Sequence, residues 1–266
     1  MPDWLVPAVA GLFGLLIGSF LNVVIWRVPR GKSLLPDSRC PGCGEKIRPL
    51  HNVPVLSWLA LRGKCARCRQ PISARYPLIE LSTAVIFALV TWWFTAAHGT
   101  SVLLGGDGAL PAFAAWCALA AYLWFAAAGV ALTAIDLELQ RLPDAIVLPS
   151  LGVVTVLLGA SAALVGDWGQ LITVFAGAAA LFAFYFVIVL VYPAGMGGGD
   201  VKLAPLIGAA TGYIGWSAIA VGAFAGFLIG AIVGVSSMLI RRARRKHAIP
   251  FGPWMLAGAW VGIVAG

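Results

Sequence analysis

Long apolar stretches separated by short polar segments run through almost all of this 266-residue chain. An α-helix needs about 20 predominantly apolar residues to cross the hydrocarbon core of a bilayer. On that scale the pattern predicts eight spans, near 5–27, 78–97, 111–135, 145–165, 169–192, 201–214, 216–240 and 253–266, of which the sixth and eighth are short. One polar interval, from Pro29 to Tyr76, is long enough for a small soluble module. The expected fold is therefore an all-α polytopic membrane protein of about eight transmembrane helices with a small loop domain. It divides into a first helix (1–28), a loop module (29–77) and a membrane-embedded remainder (78–266). Gly14 and Gly18, Gly208 and Gly212, and Gly222, Gly226, Gly230 and Gly234 recur at four-residue spacing. On a helix that spacing makes a smooth stripe along which backbones approach closely.

Composition agrees with the pattern. Hydrophobic residues make up 61% of the chain and charged residues 11%, against about 45–50% and about 25% in ordinary soluble domains. The start, Met1-Pro2-Asp3-Trp4, has no positive n-region, so the first apolar stretch is expected to be a retained helix. Of the 18 Lys and Arg, eleven lie between Arg27 and Arg75, five form Arg241, Arg242, Arg244, Arg245 and Lys246, and the others are Arg141 and Lys202. With eight spans, every one of these cations falls on the same face, which the positive-inside rule makes cytoplasmic. Both termini are then expected outside. Trp4, Trp92, Trp93, Trp168 and Trp216 fall near the outer boundary, as an interfacial belt would. The net charge of +8 follows from this topology and from attraction to anionic membrane lipids. No nucleic-acid partner is expected.

The loop module carries Cys40-Pro41-Gly42-Cys43 and Cys65-Ala66-Arg67-Cys68, with twenty-one residues between the pairs. This spacing is close to a zinc-ribbon pattern, in which each CxxC turn aims two thiolates at one ion. A closed site of four cysteines leaves no open coordination position, so the expected Zn2+ is structural and replaces a core that so short a loop cannot build. The alternative is four reduced, unligated thiols. His51 is expected at the surface, and Cys117, in the middle of the third span, is expected simply to pack.

Asp136 and Asp200 each stand where an apolar stretch meets a polar loop, on the face assigned to the cytoplasm. A carboxylate there is costly and is a functional hypothesis by default. If the two meet, they cannot both ionise cheaply and share a proton. Such a pair supplies both halves of water-mediated amide hydrolysis: one member takes a proton from water and the other donates to the scissile carbonyl. Gly197, Gly198 and Gly199, in the run that ends at Asp200, are read as a substrate loop, able to take positive φ and let a substrate backbone come close. The competing role for Asp200 is capping the sixth span, and Asp144 is assigned to capping the fourth. Capping does not account for Asp136, at a helix C-terminus where the dipole disfavours negative charge. Glu138 is read as solvated loop, and Lys202 as snorkelling to the interface.

Taken in order, Gly18-Ser19-Phe20-Leu21-Asn22-Val23-Val24-Ile25 with Arg27 and Pro29, the two CxxC pairs, Arg75-Tyr76-Pro77-Leu78-Ile79-Glu80-Leu81, Asp136 with Leu142-Pro143-Asp144, Gly197-Gly198-Gly199-Asp200-Val201-Lys202 and Pro250-Phe251-Gly252-Pro253 resemble the type IV prepilin peptidases, GxGD-type intramembrane aspartyl proteases. The resemblance implies that Asp136 and Asp200 are the catalytic pair. It implies prepilin and pseudopilin substrates, whose short basic leader is removed on the cytoplasmic face of the bacterial inner membrane. It further implies that the cysteine loop accompanies N-methylation of the new terminus with S-adenosylmethionine, a cofactor whose site the chain does not reveal. Residues 29–77 would then be the methyltransferase part, with Glu80 a flanking candidate, and 78–266 the peptidase. The rival readings are a peptidase without methyl transfer, a proton-coupled transporter and a non-catalytic assembly protein. Transporter sites lie nearer the bilayer midplane.

Overall fold

The apolar runs become helices almost where the pattern puts them. In the computed structural model, which describes residues 2–35, 38–193, 196–241 and 250–266, ten α-helices follow in order. They are α1 (Leu5–Arg27), a short α2 (Leu56–Ala60), α3 (Arg75–His98), a short α4 (Thr100–Leu103), α5 (Ala109–Leu139), α6 (Asp144–Leu164), α7 (Trp168–Val191), α8 (Gly198–Gly212), α9 (Trp216–Arg241) and α10 (Gly252–Ala265). Among the described residues the only β-type pairings are two isolated bridges in the cysteine loop.

Eight of these helices correspond to the expected spans, and six are long and apolar enough to cross a membrane. The other two, α8 and α10, have 15 and 14 residues. At about 1.5 Å per residue they rise only about 21–23 Å, short of the ~30 Å of hydrocarbon. Both are mostly buried against neighbouring helices, with Val261 and Val264 of α10 exposed. Leu203, Ala204, Leu206, Ala209 and Ala210 of α8 have no exposed surface, as expected of a helix apolar on every side. Large apolar side chains such as Leu12, Phe13, Phe175 and Phe224 point outward on the longer helices, where a bilayer satisfies them. Trp4, Trp92, Trp168 and Trp216 are also exposed. Of the second basic cluster, Arg242, Arg244, Arg245 and Lys246 lie outside the described residues, as does Gly195 of the glycine run.

The chain forms two compact units, Met1–His98 and Gly99–Gly266. In the first, α1 and α3 cross at the Gly14/Gly18 stripe. A Cβ on Gly18 would stand 2.7 Å from the Glu80 backbone, and one on Gly14 2.8 Å from that of Ala84. In the second, Gly208 and Gly212 bring α8 against α7, and Gly222 and Gly226 bring α9 against α10. Polar side chains then tie neighbours together, as they do where water supplies no hydrophobic drive. Tyr122 of α5 donates to the Ala210 carbonyl at 3.1 Å, Trp124 to Ser150 Oγ at 3.1 Å, and Ser161 to the Ala114 carbonyl at 2.8 Å. These bonds fix α5, α6 and α8 as a frame.

Candidate active site

Two places in this fold gather chemistry-bearing side chains, one in each unit. In the first unit the CxxC pairs form two similar knuckles. Cys40 N donates to the Glu45 carbonyl and Gly44 N to the Cys40 carbonyl, both at 2.9 Å; Cys65 N and Arg69 N repeat the pattern with Gln70 and Cys65 at 2.9 and 3.1 Å. Each knuckle turns through a left-handed residue, Gly44 in one and Arg69 in the other. The four Sγ atoms lie within 4.8 Å of one another, and those of Cys40 and Cys68 are 3.7 Å apart. A tetrahedron with arms of about 2.3 Å to sulfur has edges of about 3.8 Å, so the cluster has the dimensions to hold zinc.

Its electrostatics agree. Backbone amides of Cys68 and Arg67 aim at the Cys65 sulfur and bring it down to about 6 from an ordinary 9.0. The amides of Cys43 and Gly42 likewise lower Cys40. Cys68 has the Gln70 amide, but burial and the neighbouring sulfurs outweigh it and push the thiol up to about 11. One thiolate is thus ready, and another waits for a cation. An Arg67–Glu45 ion pair links the two knuckles. His51 stays outside the cluster, and Cys117 is buried within α5.

Next to this loop, Glu80 of α3 is buried and accepts the Val55 amide at 2.7 Å. Val55 holds φ at +60°, a strained value for a β-branched residue that persists only where its surroundings enforce it. Asn22 of α1 donates to the Tyr76 carbonyl at 3.1 Å. Glu80 thus fastens the loop to α3, and Asn22 ties α1 to the start of α3.

In the second unit, Asp136 and Asp200 come together. Asp136 lies in the last turn of α5 and Asp200 is the third residue of α8; both are buried, 5% and 7% exposed. The two carboxyls are near enough for their charges to repel. Each also meets the start of a helix. Asp200 Oδ2 accepts the Gly197 amide at 3.2 Å, so the capping role is real, although it comes from the third helical residue reaching back. Asp136 faces the amide of Gly252, the first residue of α10. The helix end to which Asp136 belongs disfavours its charge, and the start of another helix compensates. Asp136 Oδ2 itself is buried and accepts no well-formed hydrogen bond from the described residues.

Several expectations are corrected here. None of Gly197, Gly198 and Gly199 takes positive φ among the backbone exceptions: Gly197 is extended ahead of α8, and the other two are already helical. Gly199 instead permits a close approach, since a Cβ on it would stand 3.1 Å from Leu142 Cβ, whereas Gly198 faces open space. Asp144 does not cap α6. It is the first residue of that helix, and its carboxylate takes Lys202 Nζ at 2.7 and 2.8 Å. Lys202 therefore fastens α8 to α6, where snorkelling was expected. Glu138 belongs to the last turn of α5 and not to a loop. Sequence reasoning missed Leu142 and Gly252 as parts of the site. Both stand in motifs that carry the resemblance, but only the fold shows what they touch.

Residues 12–94 match the Bacterial Peptidase A24 N-terminal domain, and residues 123–235 match the Type IV leader peptidase family. Proteins named prepilin leader peptidase/N-methyltransferase are similar over nearly the whole chain. That of Aeromonas hydrophila is 37% identical over 99% of this chain and 92% of its own length. Those of Neisseria gonorrhoeae and Pseudomonas aeruginosa are 37% and 35% identical, over 95% and 96% of this chain and 88% and 89% of theirs. No solved structure matches. An all-helical membrane fold, a four-cysteine loop and two converging carboxyls accompany similarity of this extent, and the chain belongs to the type IV leader peptidase family.

Proposed function

We propose that this protein removes the leader peptide of type IV prepilins and pseudopilins with Asp136 and Asp200, and N-methylates the residue so exposed. The observation that carries the peptidase half is the burial at helix ends of both carboxyls, near enough for their charges to repel, from residues 64 positions apart in the chain. With one member charged and the other protonated, the charged member takes a proton from water as the oxygen attacks the scissile carbonyl carbon. The protonated member donates to the carbonyl oxygen. Collapse of the tetrahedral intermediate then breaks the C–N bond, and the proton gained from water passes to the leaving amine. Gly197, Gly198 and Gly199 would let the substrate backbone approach Asp200.

S-adenosylmethionine would supply an electrophilic methyl group for the second reaction. The described residues of the first unit do not single out its holder, because Glu80 and Asn22 are already engaged by Val55 and Tyr76. Zinc held by Cys40, Cys43, Cys65 and Cys68 would serve as a cross-link for the loop, with no open position for chemistry. After the first transmembrane helix (1–28), the 29–77 module would then serve methyl transfer, and 78–266 peptide cleavage. The basic loop residues favour a cytoplasmic face for both sites in a bacterial inner membrane, with both termini outside. Detergent-solubilised protein incubated with a prepilin, with and without S-adenosylmethionine, tests this by mass spectrometry. The expected products are trimmed pilin without the cofactor and trimmed pilin 14 Da heavier with it, about the mass of one added CH2. Intact prepilin in both arms would refute the reading.

A further inference from the structure

The contacts around Asp136 point to a residue whose importance lies in having no side chain. A Cβ at position 252 would stand 2.9 Å from Asp136 Oδ2 and 3.3 Å from both Cδ atoms of Leu142. The first distance is closer than a carbon and an oxygen tolerate without one of them moving. Leu142 also lies close to Gly199, the neighbour of Asp200, where an added Cβ would stand 3.1 Å from Leu142 Cβ. Leu142 is thus wedged between the two glycines that flank the aspartates. Behind the wedge, the oxygen of Asp136 nearest Gly252 is buried and receives no well-formed hydrogen bond from the described residues.

We propose that Gly252 is a positioning residue of the cleavage site: its lack of a side chain lets the start of α10 approach Asp136 Oδ2 without turning the carboxyl, and Leu142 bounds the same space on its other side. The inference rests on Asp136 and Asp200 being the catalytic pair. A single added methyl group suffices to crowd that oxygen. Asp136 Oδ2 is the nearer atom and Leu142 closes the other side, so the methyl turns the Asp136 carboxyl. Shortening Leu142 would free the space again, so the two substitutions are expected to compensate.

The test compares wild type with Gly252→Ala and Gly252→Ala/Leu142→Ala in prepilin cleavage, with kcat and KM measured separately. Misplacing a reacting group by about 1 Å costs on the order of 100-fold, so Gly252→Ala should lose about that factor in kcat with KM little changed. Adding Leu142→Ala should recover about tenfold or more of the loss, on the same scale. Methylation of a pilin supplied already trimmed reports whether the variants remain folded. If Gly252→Ala does not fold, the folded double variant decides: it must cleave at a rate nearer wild type than background. Cleavage by folded Gly252→Ala at the wild-type rate, or a folded double variant that recovers nothing, overturns the proposal. Asp136→Asn and Asp200→Asn serve as controls. If they still cleave, the aspartyl reading itself fails; if they do not while Gly252→Ala does, only the positioning role of Gly252 falls.

Discussion

The cysteine cluster and the aspartate pair solve the same problem, gathering like-charged ligand groups, by opposite means. The four thiols come from two knuckles twenty-one residues apart, and each knuckle is closed by its own backbone hydrogen bonds. Geometry there is local. A cation would neutralise the repulsion, and the loop needs that cation because it has little core. The two carboxyls come from α5 and α8, with α6, α7 and the start of α10 around them. Geometry there is tertiary. Repulsion is tempered by helix starts at Gly197 and Gly252, and the site is held by packing that would survive without either carboxylate. The cluster should therefore fail as a structure when a member is removed, whereas the pair should fail only as a catalyst.

The largest expected effect on this comparison comes from Asp200→Asn. Acid–base groups contribute roughly 10²–10⁴ in rate, so cleavage should fall by at least about 10² while zinc content, melting temperature and methylation of pre-trimmed pilin stay unchanged. Parallel loss of zinc and cleavage would show that the two regions are one cooperative structure. Cys43→Ser inverts the experiment. Zinc affinity should drop by more than about 100-fold, since even outer-shell changes cost about 10–100-fold, and methyl transfer should suffer at least as much as cleavage. Metal analysis that finds no zinc in the native protein would remove the claim altogether.

Acidification gives a graded version. Thiols must lose their protons to bind metal, so affinity falls as pH falls. Above about 6 the Cys65 sulfur is already a thiolate; below that value it too must release a proton. Zinc affinity measured by competition should therefore steepen by one proton per ion as pH drops through this region, and a constant slope would show that the amides of Cys68 and Arg67 do not prepare it. Smallest of all should be Lys202→Gln. Its partner Asp144 and Lys202 itself are each about half exposed, where such pairs contribute about 0–1 kcal/mol, so melting should shift by no more than a few degrees. A larger loss would make this pair part of the frame that holds Asp200.

Legibility in the sequence follows the same division. The cysteines were readable because a CxxC turn is set by residues adjacent in the chain, and their spacing carries the metal's geometry. The helices were readable from length and apolarity, although α8 and α10 are too short to span and pack mainly against neighbouring helices. Asp136 and Asp200 stood out by the cost of a carboxylate at the edge of an apolar run. What they touch did not. The amide that compensates Asp136 comes from Gly252, 116 positions away, and no local rule connects them. Asp144 follows a proline at a helix start and looks like a cap from sequence alone, yet Lys202 takes its carboxylate across the fold. Leu142 is one apolar residue among many until Gly199 and Gly252 are seen on either side of it.

The central claim is that the two carboxyls act as one unit, and a double-mutant cycle tests it directly. Single-turnover cleavage of a prepilin would be measured for Asp136→Asn, Asp200→Asn and the doubly substituted protein. Residues that work together are grossly non-additive, so the double variant should be no slower than the worse single variant. Losses that multiply, or a single variant that cleaves at the wild-type rate, would contradict the paired mechanism.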